Sequence, residues 1–122
     1  IALAHANPEL PVVSVSGDGG FAMMVQELET VNRLGIKPLF VVLVDQALSL
    51  IRIPQQMRGI PSRGVDFAPV DWAMVAQGFG VHGVWARTED ELQAALAEWV
   101  DDRKAMVIAV RIDEALYCGN SY

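Results

Sequence analysis

Apolar positions along the chain follow two alternating rhythms. Short unbroken apolar runs, rich in β-branched residues and closed by Gly, Pro or Asp, predict strands at 11–16, 38–44, 81–86 and 106–112. Between them, apolar residues recur at three- and four-residue spacing. In 21–34, Phe21, Met24, Val25, Leu28 and Val31 share one helical face, and Gly35 stands where a helix stops. Asp71 is placed to cap a helix through Gln77, with Gly78 and Gly80 closing it. In 88–101, Thr88 and Glu91 have capping-box spacing, and Leu92, Ala95, Leu96 and Trp99 make the apolar face. Residues 45–56 read as a loop and a short helix. Residues 58–68, rich in Gly, Pro, Ser and Arg, read as irregular, and 117–122 as a tail. The opening Ile1 to Pro8 reads as the last turn of a helix, so the expectation is a fragment of a longer protein, incomplete at its N-terminus.

Strands that are apolar throughout, joined by helices, imply a parallel sheet covered on both faces. The expected fold class is therefore α/β, a three-layer α/β/α sandwich, forming one domain over 1–122. Its ligand should lie at the C-terminal ends of the strands, near a topological switch point.

Composition narrows the partners. A length of 122 residues, with 52% hydrophobic and 20% charged, supports a core. A net charge of −6 offers no bulk attraction to nucleic acid or to an anionic membrane. The longest strongly apolar run, 39–44, is far shorter than the roughly 20 residues of a spanning helix. Cys118, the one cysteine, excludes an intrachain disulfide and a cysteine metal cage, and a reducing cytoplasm is the expected location.

The strongest chemical signal is Ser16-Gly17-Asp18-Gly19-Gly20-Phe21, a strand running into a glycine-rich turn and then a helix. Such a turn brings backbone N–H groups close to an anion. Asp18 would repel a phosphate unless a divalent cation lay between them, and oxygen ligation favours magnesium or calcium. A tight turn with Asp18 as a helix cap is the alternative. Asp45 ends the next strand, 27 residues later. Consecutive parallel strands put matching ends together, so Asp18 and Asp45 should converge at one sheet edge. The alternative for Asp45 is a cap of the helix that follows.

Gly17-Asp18-Gly19 followed by an acid closing an apolar strand is similar to the thiamine-diphosphate motif. The stretch from Phe21 to Thr30 resembles the helix after that motif in acetolactate synthases and related decarboxylases. Val65-Asp66-Phe67, Asp71 and Val75 to Gly80 resemble their next helix. The resemblance is to the C-terminal diphosphate-binding domain of those enzymes. It implies thiamine diphosphate and Mg2+ as cofactors. It implies Asp18, Asp45 and the Ala47 carbonyl as metal ligands, and Gly19, Gly20, Leu48 and Ser49 against the cofactor. Leu50 and Ile51 would face the substrate. It further implies decarboxylation of a 2-oxo acid such as pyruvate and transfer of the two-carbon unit. The implied partners are the protein's own upstream domains and a second subunit, in a homodimer or homotetramer. The family's activating glutamate and its cofactor-bending residue have no counterpart here, so no catalytic acid or base is assigned and the fragment alone should be inactive.

Three positions depart from the family pattern. Asp45 replaces the usual Asn, Ser49 stands where Gly is common, and Pro54 stands where acetolactate synthases carry a large aromatic residue. A related thiamine-diphosphate decarboxylase or acyl-CoA lyase is thus an alternative. A non-catalytic, receiver-like module binding magnesium or phosphate is another, although Lys104 precedes the last strand and the acid pair a receiver carries on its first strand is absent. His5 and His82 have no partner at catalytic spacing and read as surface or packing residues. The five methionines read mostly as core filler. Arg52, Arg58 and Arg63 would either meet an anionic substrate or lie on a solvated loop. Ser14, Ser16 and Ser49 lack a His–acid arrangement for a nucleophile.

Overall fold

The computed structural model describes residues 1–113. In chain order the elements are α1 (Ala2–Ala6), β1 (Val13–Gly17), α2 (Asp18–Ala22), α3 (Glu27–Leu34), β2 (Leu39–Val44), α4 (Ser49–Met57), α5 (Trp72–Gly78), β3 (His82–Ala86), α6 (Glu89–Asp102) and β4 (Met106–Arg111). The four strands are all parallel, in the order β1-β2-β4-β3. The expected 117–122 tail and Cys118 lie outside the described residues.

Side chains alternate across the sheet and build two separate cores. On one face Phe40, Val42, Val44, Val107 and Ala109 meet Phe21, Leu28, Val31, Trp72 and Ala76 from α2, α3 and α5. The Phe21 ring meets Trp72 edge-on, with centroids 5.4 Å apart. On the other face Leu39, Met106, Ile108 and Ala86 meet Ala95 and Trp99 of α6. Helices thus cover both faces of a parallel sheet, and the expected α/β class holds.

Several local readings change. The single helix over 21–34 is two helices. α2 begins at Asp18, directly after the strand, and the chain then passes through tight turns in which Met24, Glu27, Leu28 and Glu29 each donate a backbone N–H to the carbonyl three residues earlier. That tighter winding carries Met23 and Met24 outward, so Met24 does not join Phe21 on a buried face. The methionines are not core filler: Met23, Met24, Met57 and Met74 are exposed, and only Met106 is buried. α4 contains Pro54, which removes one helical hydrogen bond. The chain steps from β1 to β2, passes to β3 and returns to β4, so the reversal among the described strands lies at β3 and β4, away from Asp18 and Asp45.

Both capped helices form as the sequence indicates. Asp71 accepts from the Met74 N–H at 3.0 Å, and Thr88 accepts from the Glu91 N–H at 3.2 Å. Glu91 returns to the Arg87 N–H, one residue earlier than in the usual box. Gly83 allows a close approach: a Cβ there would run into the Ala73 backbone, so β3 and α5 touch through bare backbone.

Candidate functional site

β1 and β2 pair in register, Gly17 opposite Leu43, so the residues that follow them emerge at the same edge. Asp18 therefore reaches the start of the loop after β2. Its Oδ2 accepts from the Gln46 N–H at 2.9 Å and its Oδ1 from the Gly19 N–H at 2.9 Å. The Asp18 residue is only 2% exposed. Burial pushes its carboxyl above the ordinary carboxylate value, the two N–H groups pull it back, and the neighbouring Asp45 charge raises it further. Asp18 and Asp45 thus converge, as strand-end matching expects. A buried carboxylate beside a second one suits a hard cation, which would relieve both the desolvation and the repulsion.

The loop that follows is held in an unusual shape. Asp45 Oδ1 accepts from the Ala47 N–H at 3.2 Å, and Gln46 between them takes the left-handed conformation with φ of 62°. Ala47 pairs with Asp66 in an isolated antiparallel bridge. Leu48 donates to the Val65 carbonyl at 2.7 Å, and Phe67 donates to the Gln46 carbonyl at 2.8 Å. In such a bridge alternate residues direct their backbone groups to opposite sides. The Gln46 carbonyl and the Leu48 N–H face residues 65–67, whereas the Ala47 N–H turns to Asp45. Among the described residues no three or more His, Cys, Asp or Glu side chains group to hold a metal. Any cation here would take two carboxylates, a carbonyl, and oxygens from ligand and water.

The glycines differ in role. A Cβ on Gly19 would lie 2.7 Å from Leu48 Cδ2 and 3.2 Å from the Phe67 ring, whereas at Gly20 the nearest atom would be 3.9 Å away. Gly19 is where α2, the 46–48 loop and Phe67 close on one another. Ser49, at the first position of α4, is buried at 5% exposure, and its Oγ accepts from Arg52 at 3.3 Å. Leu50 and Ile51 project outward at 81% and 50% exposure, an apolar pair beside the site. A cleft of about 500 Å³ adjoins it, lined by Asp45, Arg52, Arg111, Ile112 and Asp113. His82 lies away from this edge, 3.1 Å from Glu98.

Sequence reasoning did not find the antiparallel bridge at Asp66 or the contacts of Arg52 with Asp66 and Ser49. The run 58–68 has no periodic apolar pattern, and an isolated bridge leaves no such signal; the structure buries Val65 there, at 4% exposure.

The parallel α/β sheet thus carries two acids, Asp18 and Asp45, at its C-terminal edge. The family model for the thiamine pyrophosphate enzyme, C-terminal TPP binding domain, matches residues 1–110. The chain is 36% identical over 107 residues to the catabolic acetolactate synthase of Raoultella terrigena, covering 88% of the chain and 19% of that protein. It is 38% identical over 112 residues to the acetolactate synthase isozyme 2 large subunit of Escherichia coli K12, covering 89% and 20%. Its fold matches the thiamine diphosphate-dependent 4-hydroxybenzoylformate decarboxylase of Rhodococcus jostii with a TM-score of 0.83 at 22% identity, over 91% of the chain and 22% of that structure. The chain belongs to the thiamine pyrophosphate enzyme family, as a C-terminal cofactor-binding domain of the acetolactate synthase-like kind. It spans about a fifth of the length of the curated relatives it matches.

Proposed function

We propose that Asp18, Asp45 and the Ala47 carbonyl hold Mg2+, and that this ion anchors the diphosphate of thiamine diphosphate at the sheet edge. The observation that carries this reading is the Asp18 carboxylate, 2% exposed, fixed by the Gln46 N–H and set against Asp45. The residues fit the cofactor chemically. The donors are hard oxygens, and the Gly19 backbone is bare where a side chain would collide with the 46–48 loop. Gly19 and Gly20 approach the diphosphate through backbone, and Leu48 and Ser49 lie along the cofactor. Leu50 and Ile51 offer an apolar wall to the substrate. The bound cofactor supplies the carbon nucleophile; this chain binds, orients and shields it.

On this reading the full-length protein decarboxylates a 2-oxo acid, pyruvate foremost, and transfers the two-carbon unit to an acceptor carbonyl. Other domains of the same polypeptide and a second subunit complete the pocket, which leaves residues 1–122 alone without turnover. No helix among the described residues is long and apolar enough to cross a membrane; a cytoplasmic enzyme is the corresponding proposal. Carbon dioxide release from pyruvate by the full-length protein, with thiamine diphosphate and Mg2+ added, tests the reading. Cofactor-dependent release with acetolactate as product is expected. Cofactor-dependent decarboxylation of another 2-oxo acid, or cleavage of an acyl-CoA, would instead favour the second reading, toward which Ser49 and Pro54 in α4 point. No cofactor-dependent turnover of any of these substrates would count against both.

A further inference from the structure

The 46–49 loop is a poor candidate to hold its own shape. It starts with a non-glycine residue at φ of 62°, and the stretch that steadies it, 65–67, belongs to an irregular segment. Two backbone hydrogen bonds join them, Leu48 to Val65 and Phe67 to Gln46. One side chain reaches across both partners. Arg52, on the first turns of α4, places Nη1 2.8 Å from Asp66 Oδ1 and Nη2 3.3 Å from Ser49 Oγ. The Arg52 side chain is 14% exposed and that of Asp66 56%. The planar guanidinium thus ties the residue opposite Ala47 in the bridge to the first residue of α4, with donors set at a fixed angle.

We infer that Arg52 is a positioning residue: its bond to Asp66 latches the 65–67 stretch onto the 46–49 loop and so sets the backbone that receives the cofactor. This inference rests on the cofactor site proposed above for its consequence, and on the geometry of residues 46–67 for its cause. Arg52 acts through Asp66 and Ser49 on the Ala47 carbonyl and the Leu48 side chain. Lysine would keep the charge and lose the second, angled donor, so it should replace arginine only in part.

The test uses the full-length protein and the variants Arg52→Gln, Arg52→Lys and the exchange Arg52→Asp with Asp66→Arg. Hydrogen–deuterium exchange in peptides covering 44–50 and 62–68 reads the latch, with the β4 peptide as a control for global folding. Fluorescence titration with thiamine diphosphate and Mg2+ reads the consequence. Arg52→Gln should exchange about tenfold faster in both loop peptides, with β4 unchanged, and should bind cofactor about fivefold more weakly, the scale of one partly exposed ion pair. Arg52→Lys should fall between, and the exchanged pair should recover most of both losses. Unchanged loop exchange in Arg52→Gln would overturn the latch, and faster exchange with unchanged cofactor affinity would overturn its positioning role. A wild-type protein that binds no cofactor would refute the site reading instead, while the exchange comparison would still decide the latch.

Discussion

At the scale of single residues, the site depends on two positions where the chain tolerates little. Asp18 is a carboxylate held in a buried place, its proton affinity raised by that burial and by Asp45. Such a group costs folding stability unless a cation or a hydrogen bond offsets it, and two backbone N–H groups already do so in part. Gly19 is the second position. An alanine there meets Leu48 Cδ2 at 2.7 Å, the far end of a flexible side chain, and the Phe67 ring at 3.2 Å. Leu48 can move, so Gly19→Ala should fold with a loss of about 1 kcal/mol in stability. The movement displaces the residue proposed to line the cofactor. Cofactor affinity in the full-length protein should therefore fall about tenfold, equivalent to about 1.4 kcal/mol. Thermal melting and cofactor titration of the same variant check the two effects together; a large stability loss with unchanged affinity would place Gly19 in the fold alone.

At the scale of elements, α5 and β3 are joined by Asp71, by Gln77, which donates to the Gly83 carbonyl at 3.0 Å, and by one bare backbone contact. Asp71 caps α5 through the Met74 N–H and also accepts from the Trp85 indole N–H of β3 at 2.8 Å. The Met74 N–H, and then the indole, hold its carboxyl below the ordinary value. A depressed folded pKa contributes stability above the unfolded value of about 3.9, and that stability is lost as pH falls through the folded value. Asp71→Asn should therefore melt lower than wild type at pH 6, and the gap should narrow toward pH 3; a constant gap over that range would assign the effect to packing. Asp71 as a cap was legible in the sequence because capping is local. The parallel sheet and the shared edge of Asp18 and Asp45 were legible because continuous apolar strands and connection rules are nearly local. The division of 21–34 into α2 and α3 was not, because Met23 and Met24 fit a helical stripe by type and only the tight backbone turns expose them. The 65–67 bridge was not either, because it exists through contacts with residues about twenty positions earlier. Gly83 gave no sign of its closeness to Ala73, since a glycine at a tertiary contact looks like any other glycine.

At the scale of the whole molecule, the apolar surface is distributed unevenly. Val13 and Val15 of β1, which among the described residues pairs with β2 alone, are 50% and 63% exposed, and Leu50 and Met57 of α4 are 81% and 83% exposed. Patches of that kind are typical of surfaces that meet other protein. They agree with a domain that spans about a fifth of its relatives and whose proposed pocket is shared with further domains. Everything in the proposed function passes through the two carboxylates at the sheet edge. The most direct measurement is calorimetric titration of the metal-free, full-length protein with thiamine diphosphate and Mg2+, comparing wild type with Asp18→Ala and Asp45→Asn. Asp18→Ala removes the buried carboxylate proposed as a metal ligand and should abolish saturable, magnesium-dependent binding. On the proposed reading Asp45→Asn keeps an oxygen ligand and removes one negative charge beside the diphosphate, so it should bind within about tenfold of wild type. Tight, magnesium-dependent binding by Asp18→Ala, or complete loss in Asp45→Asn, would contradict the account.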